Sequence, residues 1–253
     1  GFSWNTAKTP ARPVLEIKQT GETEYKKVRA RYEGMSSYEF GDAGDKQISR
    51  SYIKVEAQLT PDASYEYRIG DAYLDAYTEP VTIKAVNPTE SGKWSFAHVS
   101  DSQTAGADGA GSNSGYAFAN TLKGISKDET NRFIVHTGDV VEWSRYESYW
   151  TNMLDYNFGA LSVMPVMSIS GNHETTYRNG TSETYKHFNY KYPAQTVKNG
   201  LYYSFVYGGV KFVMINTNEL NANTGALRDH QYNWIINELK NNTEKWLVVC
   251  MHN

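Results

Sequence analysis

Ser170-Gly171-Asn172-His173-Glu174 follows directly on the apolar run Met164-Pro165-Val166-Met167-Ser168-Ile169. Three other stretches repeat that layout, a short apolar run that ends in polar residues. Trp94-Ser95-Phe96-Ala97-His98-Val99-Ser100 runs into Asp101-Ser102-Gln103, and Arg132-Phe133-Ile134-Val135-His136-Thr137 runs into Gly138-Asp139-Val140-Val141-Glu142. Trp246-Leu247-Val248-Val249-Cys250-Met251 delivers His252. Such runs read as buried strands, and in an open α/β sheet ligands gather beyond the carboxyl ends of strands. Four strands presenting Asp, Asp, Asn-His and His at that end predict one shared site.

Composition narrows the function. At 253 residues the chain can bury one large core or two without staples. Its one cysteine, Cys250, excludes an internal disulfide framework and, lying in an apolar run, reads as a buried, inert thiol. A formal charge of −3 leaves no Lys/Arg stripe to replace phosphate counterions, so no nucleic-acid-binding groove is expected. An anionic substrate has to be held locally. No apolar run approaches the roughly 18 residues of a membrane span.

Residues 1–90 read as an all-β module. Phe2-Ser3-Trp4-Asn5, Pro13-Val14-Leu15-Glu16-Ile17-Lys18, Tyr25-Lys26-Lys27-Val28-Arg29-Ala30, Tyr52-Ile53-Lys54-Val55-Glu56-Ala57, Tyr65-Glu66-Tyr67-Arg68-Ile69 and Pro80-Val81-Thr82-Ile83-Lys84-Ala85 alternate at period two, with turn residues between them. Its Tyr and charged residues read as a face that packs and orients the module. From Trp94 onward strands alternate with helical patterns, which predicts α/β layering over residues 91–253. Tyr116, Phe118, Leu122 and Ile125 mark one expected helical core face, and Trp143, Tyr146, Trp150 and Leu154 a second. Leu227, Tyr232, Ile235, Ile236 and Leu239 mark a third, and Gly208-Gly209 predicts a hairpin turn within residues 202–215. The Gly-, Ser- and Ala-rich residues 104–115 read as a lid over the site or as a connector. His98 and His136 are expected to point away from the adjacent turns or into packing, and His187 and His230 to take solvent or capping roles. Asn179-Gly180-Thr181 and Asn241-Asn242-Thr243 fit the glycosylation pattern. No segment reads as a dimerisation helix, and the sequence assigns no oligomeric state.

Asp offers anionic oxygen, Asn neutral oxygen and His a borderline nitrogen. This donor set suits Zn, Mn or Fe better than Ca, or than a structural Zn site, which favours Cys. With one carboxylate bridging, two ions would sit roughly 3.5–4 Å apart, close enough to activate a water and neutralise a phosphoryl oxygen together.

The ordered series Asp-x-Gln, Gly-Asp-x-x-Glu, Gly-Asn-His-Glu and an apolar strand ending in His resembles the calcineurin-like metallophosphoesterases. The module before it resembles a fibronectin type III sandwich: Leu59-Thr60-Pro61-Asp62-Ala63-Ser64-Tyr65-Glu66-Tyr67 is similar to the corner in which a Tyr opens the penultimate strand, and Phe2-Ser3-Trp4 looks like the second strand, with the first missing. The pair is most similar to the purple acid phosphatase branch. The resemblance implies an αββα sandwich of the metallophosphoesterase type behind the β-sandwich, and two divalent or trivalent ions (Fe, Mn or Zn). It also implies hydrolysis of phosphate mono- or diesters by metal-activated water, a small phosphorylated substrate and an extracellular or cell-surface location. Asp101 would bind the first ion, Asp139 would bridge, and Asn172 and His252 would bind the second. His173 would reach the phosphate or protonate the leaving oxygen, and Glu174 would support the ligands from behind.

Three departures qualify the likeness. Gln103 stands where most of the broad family has His, so the first ion is held loosely or Gln103 binds through its oxygen. Glu142 replaces the Tyr found three residues after the bridging Asp in purple acid phosphatases. No purple charge-transfer band is then expected, and Glu142 is either a substitute oxygen ligand or a surface or helix-start acid. The family's final Gly-His-x-His motif does not occur before Asn253, so both ends read as cut from a longer protein. Two other readings stand beside this one: a metal-free hydrolase using Asp101, Asp139, Glu142 and Glu174, and a catalytically incomplete metallophosphoesterase fold acting as a surface-binding module.

Overall fold

The computed structural model describes residues 1–39, 44–105, 115–175, 183–193, 202–220 and 226–253. Most of the 104–115 loop, and Asn179-Gly180-Thr181, lie outside them.

The N-terminal residues form two antiparallel sheets. In one, β1 (Phe2–Thr6), β5 (Lys46–Val55) and β4 (Arg31–Glu39) lie in the order β1-β5-β4. In the other, β2 (Pro13–Gln19) pairs with β3 (Lys26–Arg29) and β6 (Ser64–Asp71), and β6 also pairs with β7 (Ala76–Tyr77) and β8 (Val81–Lys84). Leu15, Ile17, Ile53, Val55 and Tyr67 fill the space between the sheets, as period-two strands require when one face of each is apolar. The Thr60 N–H donates to Tyr65 Oη at 3.0 Å, the bond by which a tyrosine corner ties a strand to its preceding turn. β4 was not anticipated, and β5 begins well before Tyr52. Their first halves are largely exposed, and Ser37, Tyr52 and Lys54 further along face other parts of the protein through polar contacts, so hydrophobic alternation gave little sign of them.

The C-terminal residues form an αββα sandwich. β9 (Ser95–Val99), β10 (Asn131–His136) and β11 (Val166–Ser168) make a parallel sheet in the order β11-β10-β9. β12 (Tyr203–Tyr207), β13 (Val210–Met214) and β14 (Trp246–Cys250) make the second, with β12 antiparallel and β14 parallel to β13. Aromatic rings join the two sheets. Phe133 of β10 stacks on Phe96 at 5.6 Å and meets Phe212 and Phe205 edge-on at 5.4 and 5.5 Å. The hairpin turn is Gly208-Gly209, with φ of 53° and 74°. A Cβ on Gly208 would stand 2.3 Å from the Trp94 indole nitrogen, so glycine is required there for space as well as conformation.

Helices α1 (Tyr116–Ile125), α2 (Glu147–Tyr156) and α3 (Phe158–Leu161) cover the outer face of the parallel sheet through Phe118, Leu122, Trp150, Met153 and Ala160. α4 (Asn172–Thr175), α5 (Thr184–His187) and α6 (Thr217–Leu220) are single turns, and α7 (Ala226–Lys240) lies on the second sheet with Trp234 against Tyr202. Some expected helix faces need correction. Tyr116, Tyr232 and Leu239 are exposed, and Trp143 and Tyr146 precede α2 instead of lying on it. Helical spacing shows which residues share a side; it does not show how far the neighbouring layer extends over that side. Cys250 is buried, and burial pushes its thiol up to about 11, in keeping with an inert core cysteine.

His187 also departs from expectation. It is buried, stacked on Trp150 at 4.1 Å and edge-on to Tyr52 at 5.3 Å, where the two parts of the chain meet. Across that junction Tyr52 Oη donates to Glu147 Oε2 at 2.6 Å, Ser3 Oγ donates to the His187 carbonyl at 2.7 Å, and Lys54 Nζ reaches the Tyr185 carbonyl. The outward residues of β5 therefore pack on α2 and α5.

Candidate metal centre

The four polar turns converge beyond the carboxyl ends of β9, β10, β11 and β14. The first two are fastened together by backbone bonds: Asp101 N–H to Gly138 O at 3.1 Å, Gln103 N–H to Asp139 O at 2.9 Å and Glu142 N–H to Thr104 O at 3.0 Å. To meet in this way Asp101, Gln103 and Asp139 adopt positive φ of 54°, 37° and 53°, costly for side chains with a Cβ and concentrated here at one place. The third turn presses against the second. A Cβ on Gly171 would fall 2.0 Å from Asp139 Oδ1, and one on Gly138 would fall 2.5 Å from the Gly171 nitrogen. The glycines of Gly-Asp and Gly-Asn-His are thus explained by close approach of two backbones.

One ligand atom from each of Asp101, Asp139 and His252 lies within 4.8 Å of the others. Asp139 is buried, His252 half-buried and Asp101 exposed, so the group runs from the interior to the surface. His252 is oriented by a backbone carbonyl: its Nδ1–H donates to Thr137 O at 2.8 Å. In the neutral ring Nε2 then carries a lone pair, yet it faces Asp139 Oδ2 at 3.2 Å and Asn172 Oδ1 at 3.2 Å. Three electron-pair donors aimed at one another are stabilised by a cation among them, so Asp101, Asp139, Asn172 and His252 fit a metal ion.

The supporting residues are equally specific. Glu174 is buried, and its two oxygens accept the N–H groups of Gly171 (2.8 Å), Asp139 (2.9 Å), Val140 (2.9 Å) and Val141 (3.4 Å), holding both turns in place. Burial pushes its carboxyl up to about 7, opposed by those same donors. His136 lies beneath Asp101: Ser102 Oγ donates to Val140 O at 2.8 Å and accepts from His136 Nε2 at 2.9 Å. Burial lowers the His136 pKa to about 3, so it stays neutral and structural. His98 is exposed, with Nε2 3.0 Å from Thr137 Oγ1.

His173 stands beside the group, at the start of α4. Its N–H donates to Asp139 Oδ1 at 3.0 Å, its carbonyl accepts from Ser144 Oγ at 2.6 Å, and its Nδ1–H donates to the Glu142 carbonyl. Nε2 lies 3.8 Å from Asp139 Oδ2. Burial disfavours the charged ring, but the Glu142 carbonyl and the carboxylates of Asp139, Glu142 and Glu174 outweigh it, and the pKa is raised. Gln103 and Glu142 meet each other: Gln103 Nε2 is 3.1 Å from Glu142 Oε2. Glu142 is therefore neither a helix start, since α2 begins at Glu147, nor a free surface acid. Sequence reasoning missed Thr137 and Ser144. Thr137 acts through its carbonyl and Ser144 through a contact 29 positions away, and neither leaves a mark in a local pattern.

Over 218 residues the chain is 26% identical to purple acid phosphatase 23 of Arabidopsis thaliana, covering 77% of this chain and 46% of that protein. It superposes with a TM-score of 0.71 on the structure of purple acid phosphatase PPD1 from seeds of yellow lupin (Lupinus luteus), at 22% identity, covering 98% of this chain and 47% of that one. The chain thus spans about half the length of these relatives. Residues 95–253, which carry all four turns, match the calcineurin-like phosphoesterase family, and the chain belongs to that family.

Proposed function

We propose that this chain hydrolyses phosphate mono- or diesters of small molecules at a centre of two ions drawn from Fe, Mn or Zn. The observation that carries the reading is the convergence of Asp101, Asp139, Asn172 and His252, with His252 Nε2 3.2 Å from both Asp139 Oδ2 and Asn172 Oδ1. When bound, such ions supply Lewis acidity that lowers the pKa of a coordinated water and offsets phosphoryl charge. Asp101 and Asp139 bring two negative charges, fewer than two divalent ions carry, so the site attracts a phosphate although the whole chain is acidic. Asp101, Asp139, Asn172 and His252 would hold the ions, and Glu174 keeps the Asp139 and Asn172 turns in register. With Nδ1 engaged by the Glu142 carbonyl, the His173 ring presents Nε2 to the site, where it can bind the phosphate or deliver a proton to the departing oxygen.

An extracellular or cell-surface location belongs to the same reading, resting on the all-β module that precedes the domain; among the described residues no helix is long and apolar enough to cross a membrane. The test is hydrolysis of an aryl phosphate after chelation and re-addition of Mn, Zn or Fe. We expect restored turnover in the parent chain and only buffer background in Asp139→Ala. Turnover that survives exhaustive chelation, or that persists in Asp139→Ala, or that no metal restores, would overturn the reading.

A further inference from the structure

We propose that the β-module is part of the catalytic frame: Tyr38 of β4 and Asp45, the residue before β5, hold the segment Trp143-Ser144-Arg145-Tyr146, and that segment seats His173. Asp45 and Arg145 are positioning residues on this account, acting on His173 through the chain between them. The consequence for turnover rests on the phosphoesterase reading, whereas the mechanical link rests on the contacts alone.

The contacts form an unbroken series. The Tyr38 N–H donates to Arg145 O at 3.2 Å, and Tyr38 pairs with Tyr146 as an isolated parallel bridge, so β4 lends the second domain one rung of backbone. Ser37 Oγ donates to the same carbonyl at 3.2 Å. Asp45 fixes two side chains at once. Its Oδ2 lies 3.0 Å from a guanidinium nitrogen of Arg145, and its Oδ1 accepts from Tyr146 Oη at 2.7 Å. The guanidinium also donates to the Tyr146 hydroxyl and lies 4.6 Å from the Tyr146 ring centroid and 5.6 Å from that of Trp143. At the other end of the series Ser144 Oγ donates to the His173 carbonyl at 2.6 Å, while the carbonyl of Glu142, immediately before the segment, accepts His173 Nδ1–H. Both the main chain and the ring of His173 are thereby referred to residues 142–144.

The segment lies between β10 and α2 and belongs to neither. An irregular stretch keeps one position only when its surroundings hold it. Ser144 and Tyr146 are buried, and Trp150 Nε1 of α2 donates to Ser144 O at 2.8 Å, so the helical layer holds one side and the β-module holds the other. A group that must meet a departing oxygen gains from such a frame, because a misplacement of about 1 Å can cost on the order of a hundredfold in rate. Asp45 and Arg145 are each partly exposed, and solvent weakens such a pair, so the effect of losing it is a fraction of that limit.

The experiment uses the parent chain, Asp45→Ala, Asp45→Asn, whose amide oxygen still accepts from Tyr146, and Lys84→Ala, which breaks a separate ion pair of the β-module with Asp62. The first readout is backbone amide hydrogen exchange in metal-free protein. We expect exchange at Tyr38, Tyr146 and His173 to quicken together in Asp45→Ala, on the order of tenfold, with the β10 amides unchanged and Asp45→Asn between it and the parent. Bound metal per chain should be equal in all four proteins. For an alkyl phosphate, kcat should fall by about threefold to tenfold in Asp45→Ala with KM little changed, less in Asp45→Asn, and not at all in Lys84→Ala. His173 exchange or kcat that matches the parent in Asp45→Ala, or an equal fall in Lys84→Ala, would overturn the proposal. If the parent is inactive with every metal, the phosphoesterase reading falls, and exchange at His173 still decides whether the β-module seats that residue.

Discussion

At Gly171 the site is so tight that a methyl group cannot be added without moving a metal-binding candidate. The added Cβ would meet Asp139 Oδ1 at 2.0 Å and the Asp139 nitrogen at 2.4 Å, while Glu174 holds both turns from below with four N–H bonds. Neither neighbour is the flexible end of a long side chain, so strain cannot be relieved by a rotamer change. Gly171→Ala is expected to lose about 1–3 kcal/mol of stability, the usual cost of overpacking. It should weaken metal binding as well, because the Asp139 carboxylate has to turn. Denaturant unfolding and metal titration of the same variant check both effects. At this scale much was legible in advance: Asp101, Asp139, Asn172 and His252 each follow an apolar run, and the structure brings all four to one place. The conformations of Asp101, Gln103 and Asp139 were not legible, since positive φ at a residue with a Cβ arises only when surrounding contacts impose it.

Elements are tied to one another by a few directional contacts at their ends. Glu90, in the segment between β8 and β9, receives Arg132 of β10 through two bonds of 2.7 Å and the Tyr207 hydroxyl of β12 at 2.6 Å. One carboxylate thereby connects the linking segment to both sheets of the sandwich. The Arg132 bonds and then the Tyr207 hydroxyl draw its pKa down to about 2 from the usual 4.5. A carboxylate depressed in the folded state stabilises the fold above its unfolded pKa, and that contribution fades as pH falls from about 4.5 towards 2. Glu90→Gln is therefore expected to lower the melting temperature at neutral pH. The difference from the parent should shrink across that acid window, as thermal melts at stepped pH will show. The hairpin at Gly208-Gly209 and most strand centres were readable from period and turn chemistry. The exposed Tyr116, Tyr232 and Leu239 were not, because helical spacing carries no information about the reach of the next layer.

Across the whole molecule, a buried polar cluster joins the β-module to the phosphoesterase domain. Glu147 accepts from Tyr52 at 2.6 Å and from Ser37 at 3.4 Å, and His187 Nε2 lies 3.8 Å away. Both His187 ring nitrogens lack a hydrogen-bond partner among the described residues. Burial pushes the Glu147 carboxyl up to about 7, while burial, with Lys186 and Lys54 nearby, holds His187 well below its ordinary value. A carboxyl raised in the folded state binds more protons there than in the unfolded chain. Its contribution is therefore complete below about 4.5 and is lost as pH rises through 7. The depressed His187 acts in the opposite sense and weakens the fold as pH falls below about 6.5. Glu147→Gln removes the first effect alone: between pH 5 and 8 the parent should lose up to about 3 kcal/mol of stability relative to the variant, measurable by urea unfolding at each pH. A parent and variant that run parallel across that range would show that Glu147 is ionised in both states.

The amino-acid sequence by itself indicated a strand-rich first stretch, α/β layering after it and the four site-bearing turns. These depend on strand period, turn chemistry and residue type, all of which act over a few neighbouring positions. Tertiary structure alone decided that β5 turns its polar face onto α2 and α5, that His187 is buried beside Glu147, that Thr137 orients His252 and that Gln103 meets Glu142. Each of those outcomes depends on partners brought from far along the chain, 115 positions apart for His252 and Thr137 and 39 for Gln103 and Glu142. A local pattern records which groups a residue can offer, and only the folded arrangement of desolvated neighbours selects the partner that each group takes.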